Sequence, residues 1–181
     1  MNRVEWIFGY GSLMWDPGFT PVETRRARLS GYARSFCLRS IQHRGTAARP
    51  GLVLGLDEEA EAACWGLALR VAGQDHDEVL AYLRARELVT DAYREAVLPL
   101  ALEDGAEVPA LAYVMRRDHW QYAGGLSLDE QARMIATAVG GRGANADYLF
   151  NTAAHLAEIG LPDAELDRLA GMVRKLLEDR P

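Results

Sequence analysis

Apolar and polar positions change rhythm about two-thirds of the way along the chain. Up to Met115 most apolar residues fall in short runs or alternate with polar ones, the spacing of β-strands. Trp6-Ile7-Phe8 is a short run stopped by Gly9, and Tyr32 to Ile41 mixes apolar and polar positions. Leu52 to Leu56 and Ala63 to Val71 read as two further strands, separated by an acidic turn at Asp57-Glu58-Glu59. Tyr93 to Leu102 and Pro109 to Met115 read as a pair joined by Glu103-Asp104-Gly105. Glycine and arginine inside several runs predict bent strands, as in a small barrel. One helix interrupts the series, from about Asp75 to Arg86, with Val79, Leu80 and Leu83 as its apolar stripe and Asp75 or Asp77 as its cap.

Helical spacing takes over in the last third. Ser127-Leu128-Asp129-Glu130 is a capping-box pattern, and Gly140-Gly141 is expected to end that helix. Asn145 is expected to cap the next, which carries Leu149, Leu156 and Ile159 and stops at Gly160. Asp163 opens a final amphipathic helix with Leu166, Leu169, Val173 and Leu176. Strands first, one helix between them and helices last predict an α+β fold rather than regular βαβ units. No linker or repeat breaks the chain, so a single domain over 1–181 is expected.

Charge narrows the function classes. The 20 Lys and Arg against 26 Asp and Glu leave a net charge of −6, which argues against nucleic acid as a partner. The first residues hold no apolar signal-peptide core, and no apolar run is long enough to span a bilayer. A cytoplasmic protein with no membrane partner is expected. Cys37 and Cys64 both sit in strand-like runs and read as buried thiols rather than a disulfide. Neither they nor the four scattered His residues have ligand spacing, so no metal is expected.

Candidate chemistry concentrates in Phe8-Gly9-Tyr10-Gly11-Ser12-Leu13-Met14-Trp15, where a strand runs into two glycines. Glycines let a ligand approach main-chain N–H groups, and N–H groups turned one way attract an anion such as a carboxylate. The same run also suits a tight turn packed under Trp15. It is not a dinucleotide fingerprint, because Met14 stands at the third glycine position, and Ser12 is not in a nucleophile elbow. Glu87 lies four residues beyond Leu83 and eight beyond Val79, so all three share one helical face. Facing the core, its carboxyl would have a raised pKa suited to general acid–base work; past the helix end, it would pair with Arg84, Arg86 or a strand arginine. Arg44, in the loop His43-Arg44-Gly45-Thr46, can meet a substrate carboxylate or sit in a solvated turn. Tyr148, in a helix's first turn, can hydrogen-bond to substrate or to Glu87, or fill core.

Taken in order, these segments resemble a known family. The run from Phe8 to Trp15, His43-Arg44-Gly45-Thr46, Pro50-Gly51, Tyr82-Leu83-Arg84-Ala85-Arg86-Glu87 and Gly143-Ala144-Asn145-Ala146-Asp147-Tyr148-Leu149 follow the sequence seen in ChaC-like γ-glutamylcyclotransferases. The resemblance implies a small β-barrel flanked by helices. It implies a lyase that cleaves glutathione, a small-molecule substrate, to 5-oxoproline and cysteinylglycine by internal aminolysis. It implies that Tyr10, Gly11, Ser12 and Leu13 bind the γ-glutamyl group, that Glu87 is the acid–base, and that Tyr148 is the family's helical tyrosine. No cofactor is implied. Met14 replaces a commoner isoleucine, and Ala47-Ala48-Arg49 replaces a segment that often carries an acidic residue. Other γ-glutamyl amino acids or amines therefore stay open as substrates, as does a non-catalytic γ-glutamyl-binding or interaction module.

Overall fold

The computed structural model describes residues 3–179. Five strands close a barrel in the order β1-β3-β2-β4-β5. They are β1 (Trp6–Gly9), β2 (Glu23–Ser40), β3 (Gly51–Arg70), β4 (Tyr93–Leu102) and β5 (Glu107–Met115). Helix α1 (His76–Glu87) lies between β3 and β4 in the chain; α2 (Leu128–Thr137), α3 (Asn145–Glu158) and α4 (Ala164–Glu178) follow the barrel strands. This is the α+β order that the hydrophobic pattern predicts. No described helix is long and apolar enough to cross a membrane.

By internal packing the chain divides into two compact units. One takes the residues up to Arg34 together with Leu56–His119; the other takes Ser35–Gly55 and the residues from Trp120 on. The first holds β1, α1, β4, β5 and most of β2 and β3. In it β1 pairs antiparallel with β3, placing Phe8 opposite Ala68, and parallel with β5, placing Trp6 opposite Ala110. The β4–β5 hairpin runs in full register from Tyr93 opposite Met115 to Ala101 opposite Glu107. Gly105, at φ 87°, makes the turn that Glu103-Asp104-Gly105 announces, and Asp104 accepts the Ala106 N–H at 3.0 Å. Val79 and Leu83 of α1 are buried with Ile7, Leu13, Leu69, Val71, Leu111 and Tyr113. At β1 the chains come so close that a Cβ on Gly66 would collide with the carbonyl oxygen of Gly9. Gly66→Ala is expected to cost about 1–3 kcal/mol of stability, read from the shift in urea midpoint.

Several elements depart from the pattern reading. Strand β2 begins at Glu23, well before Tyr32; there buried Ala27 and Leu29 alternate with exposed Arg26 and Arg28. Asp57-Glu58-Glu59 is no turn, and β3 runs unbroken through it. The carboxylates are tolerated in mid-strand because arginines meet them. Arg117 Nε donates to Asp57 at 2.8 Å, Arg117 also donates to the Glu58 carbonyl, and Arg94 pairs with the Glu58 carboxylate. Asp75 occupies the N-cap position of α1 without a side-chain cap bond.

In the second unit, α2 carries the full capping box: Ser127 accepts the Glu130 N–H, and Glu130 accepts the Ser127 N–H. That helix ends before Gly140-Gly141. Strands β6 (Val139–Gly140) and β7 (Gly143–Ala144) pair there as a two-stranded ribbon. Asn145 is not the cap of α3, a position Ala144 takes; its side chain is spent elsewhere, as described below. Asp163 caps α4, accepting the Glu165 and Leu166 N–H groups at 3.1 Å.

Candidate active site

Two of the groups singled out in the sequence meet in the first unit. Strand β1 ends at Gly9, and the chain tightens into a 3-10 turn over Ser12–Met14. Met14 N–H donates to the Gly11 carbonyl at 2.9 Å, and Trp15 and Asp16 N–H both donate to the Ser12 carbonyl. The N–H groups of Gly11, Ser12 and Leu13 precede the first of these bonds and take no part in them. Neither Gly9 nor Gly11 has a positive φ. Space around Gly9 is tight: a Cβ there would lie 3.2 Å from Met14 Cγ, and that side chain would have to give way slightly. Tyr10 and Leu13 are buried, Leu13 in the same cluster as Val79 and Leu83. The loop and α1 are thereby packed on one apolar core.

Glu87 is the last residue of α1, one turn beyond fully buried Leu83. Its side chain is only 19% exposed, and Arg86 Nε lies 3.2 Å from its Oε1. Both readings of this residue therefore hold at once: it is largely buried, and it is paired. Burial is the stronger influence and pushes the carboxyl above the ordinary glutamate range, with the Arg86 charge opposing it. Fully buried Tyr113 also senses this charge. Its phenol is driven far up, first by burial and then by the carboxylates of Glu95 and Glu87. Tyr113 donates to Glu95 at 3.4 Å, and Glu95 takes a two-pronged fork from Arg84 at 2.8 Å.

Two arginines hold the loop. Arg34 Nε donates to the Tyr10 carbonyl at 2.6 Å, and its Nη2 donates to the Trp65 carbonyl. Arg86 donates to Ser12 Oγ at 3.0 Å and to the Asp16 carbonyl at 2.7 Å. Neither was legible as a loop anchor. Arg86 stood out only as a partner for Glu87, and the bond to Ser12 spans 74 positions.

Arg44 and Tyr148 belong to the second unit, where they contact each other. The Arg44 guanidinium lies 5.5 Å from the Tyr148 ring centre, and its Nη1 donates to the Ala144 carbonyl at 3.2 Å. The Tyr148 hydroxyl accepts the Leu54 N–H at 3.4 Å, and its ring meets Phe36 edge-on. Arg44 sits in a loop too tight for side chains at its crossings. A Cβ on Gly45, Gly51 or Gly140 would strike backbone atoms of the facing chain. Asn145, wholly buried, clamps the same region: its Oδ1 accepts the Leu52 N–H and its Nδ2 donates to the Leu52 carbonyl, both at 2.7 Å.

A family model described as ChaC-like protein matches residues 5–176. The chain belongs to this ChaC-like family. The glutathione-specific γ-glutamylcyclotransferase of Escherichia coli (strain K12) is 38% identical over 174 residues, covering 96% of this ChaC-like chain and 74% of that protein. Glutathione-specific γ-glutamylcyclotransferase 1 of Homo sapiens is 35% identical over 170 residues, covering 93% and 76%. A γ-glutamylcyclotransferase specific to glutathione from yeast, solved by crystallography, shares the fold with a TM-score of 0.83 at 24% identity, over 96% of this chain and 97% of that one. Within the matched residues, the loop at Tyr10 to Leu13 and Glu87 come together, and Arg86 joins them.

Proposed function

We propose that this chain is a glutathione-specific γ-glutamylcyclotransferase, a lyase that releases 5-oxoproline and cysteinylglycine. The observation that carries the proposal is the Glu87 carboxyl, largely buried and raised in pKa, on the helix whose Val79 and Leu83 pack with Leu13 and whose Arg86 bonds Ser12 Oγ. The names of the bacterial and human relatives support glutathione as the substrate.

The reaction needs no enzyme nucleophile. The substrate's own α-amine attacks its γ-carbonyl carbon, forming the ring C–N bond. Glu87 takes a proton from that amine as the bond forms. It returns the proton to the departing nitrogen of cysteinylglycine as the original amide C–N bond breaks. Atoms balance without water, metal or redox partner. A carboxyl with a raised pKa serves both directions better than an ordinary one, because it is a stronger base in its ionised form and still gives the proton up. The N–H groups of Gly11, Ser12 and Leu13 are suited to the substrate's α-carboxylate, and holding that end folds the γ-glutamyl arm toward ring closure. The same proposal places the enzyme in the cytosol, a setting that suits Cys37 and Cys64 as buried thiols with no disulfide.

Incubating the purified chain with reduced glutathione and measuring 5-oxoproline by mass spectrometry tests this directly. Product from glutathione, with far less from γ-glutamyl-alanine or γ-glutamyl-lysine, is the expected result. Product only from the latter two would move the chain to a different cyclotransferase specificity. No product from any would leave a binding module.

A further inference from the structure

Arg86 touches more of the candidate site than any sequence pattern suggests. Its Nη2 donates to Ser12 Oγ at 3.0 Å, its Nη1 donates to the Asp16 carbonyl at 2.7 Å and to Tyr82 Oη at 3.3 Å, and its Nε lies 3.2 Å from Glu87 Oε1. One planar cation thus spans the first residue of the 3-10 turn, the chain just past its end and the carboxylate on its own helix. We infer that Arg86 is a positioning residue, which fixes the substrate loop through its fork and biases Glu87 through its charge. The inference rests on the proposed role of Glu87.

Each contact has a separable consequence. Ser12 Oγ accepts from Arg86, so the Ser12 O–H is turned away from the guanidinium and is available to donate elsewhere. The Asp16 bond pins the loop's far end, while packed Leu13 holds its middle. At Glu87 the positive charge opposes burial, so it keeps the carboxyl ionised to a lower pH than burial alone would allow. Lysine can supply the charge but not the fork, because its ammonium is a point donor on a flexible stem. Gln supplies neither the charge nor the reach.

The two variants therefore separate the roles. Arg86→Gln, which loses the bonds to Ser12 and Asp16, is expected to raise KM for glutathione about tenfold, an effect the size of one charge-assisted hydrogen bond, and to move the acid limb of kcat to higher pH. Arg86→Lys is expected to raise KM by a similar factor with the acid limb unmoved. A purely structural arginine would lower thermal stability in both without moving the limb in either. Wild-type KM and an unshifted limb in Arg86→Gln would overturn the inference. Should that variant fail to fold, Arg86→Lys decides, and a wild-type KM there overturns it. Glu87→Gln is run alongside: if it stays active, the reading of Glu87 has failed, and not the reading of Arg86 alone.

Discussion

Glu87→Gln is expected to lower turnover of glutathione about 10²–10⁴-fold while leaving the far-UV circular dichroism spectrum unchanged. The amide matches the carboxyl in size and cannot serve as the acid–base, so the buried position at the end of the helix stays filled and the transfer step is lost. Near-wild-type turnover would remove Glu87 from the mechanism. The wild-type enzyme should carry a matching signature. Activity is expected to fall as pH drops through the Glu87 pKa, which burial lifts above the ordinary value of 4.5, so the acid limb of a pH–rate profile should lie above the range of an exposed glutamate.

Stability should move the other way. Between the ordinary and the raised pKa the folded state binds more protons than the unfolded state, so stability falls as pH rises through that window. The contribution of Glu87 is fully present below the unfolded-state value and is lost above the folded one. Glu87→Gln escapes that loss. Its urea midpoint relative to wild type should therefore rise from acid to neutral pH, and a flat difference would contradict the burial effect.

The second large effect is expected at Asn145, where substitution by Ala should cost about 2–6 kcal/mol in urea unfolding. The residue is wholly buried, and so is Leu52, whose N–H and carbonyl it satisfies together. Truncation strands one donor and one acceptor, each costing about 1–3 kcal/mol when left unpaired away from water. A cost below about 1 kcal/mol would mean that the backbone of Leu52 finds other partners. Asn145→Asp keeps the acceptor but sets an oxygen against the Leu52 carbonyl, so it should not restore stability.

Asn145 also shows where reading the chain alone stops. Asn before a helix is a good cap by local rules, and nothing nearby reveals that its amide is committed to a strand 93 positions earlier. The same limit applies at Asp57 and Glu58. Three acidic residues in a row look like a turn until Arg117 and Arg94 arrive from distant segments to neutralise two of them. Elements whose signals are local were legible: the β4–β5 hairpin through its Asp-Gly turn, the α2 capping box, the Asp163 cap. Glu87 was legible for a similar reason, because helical spacing ties it to Val79 and Leu83 whatever the rest of the chain does. The loop's position was legible too, but neither of its glycines is there for a left-handed backbone.

The bond from Arg34 to the Tyr10 carbonyl reaches beyond anchoring. Across a trans peptide the carbonyl and the next N–H point in opposite directions. Gripping the Tyr10 oxygen therefore aims the Gly11 N–H the other way before any ligand arrives. Rotating that one peptide plane would replace a hydrogen by an oxygen and turn an attractive face into one that repels a carboxylate. A charge-assisted hydrogen bond of 2.6 Å resists that rotation. Arg34 thus acts as a polarity lock.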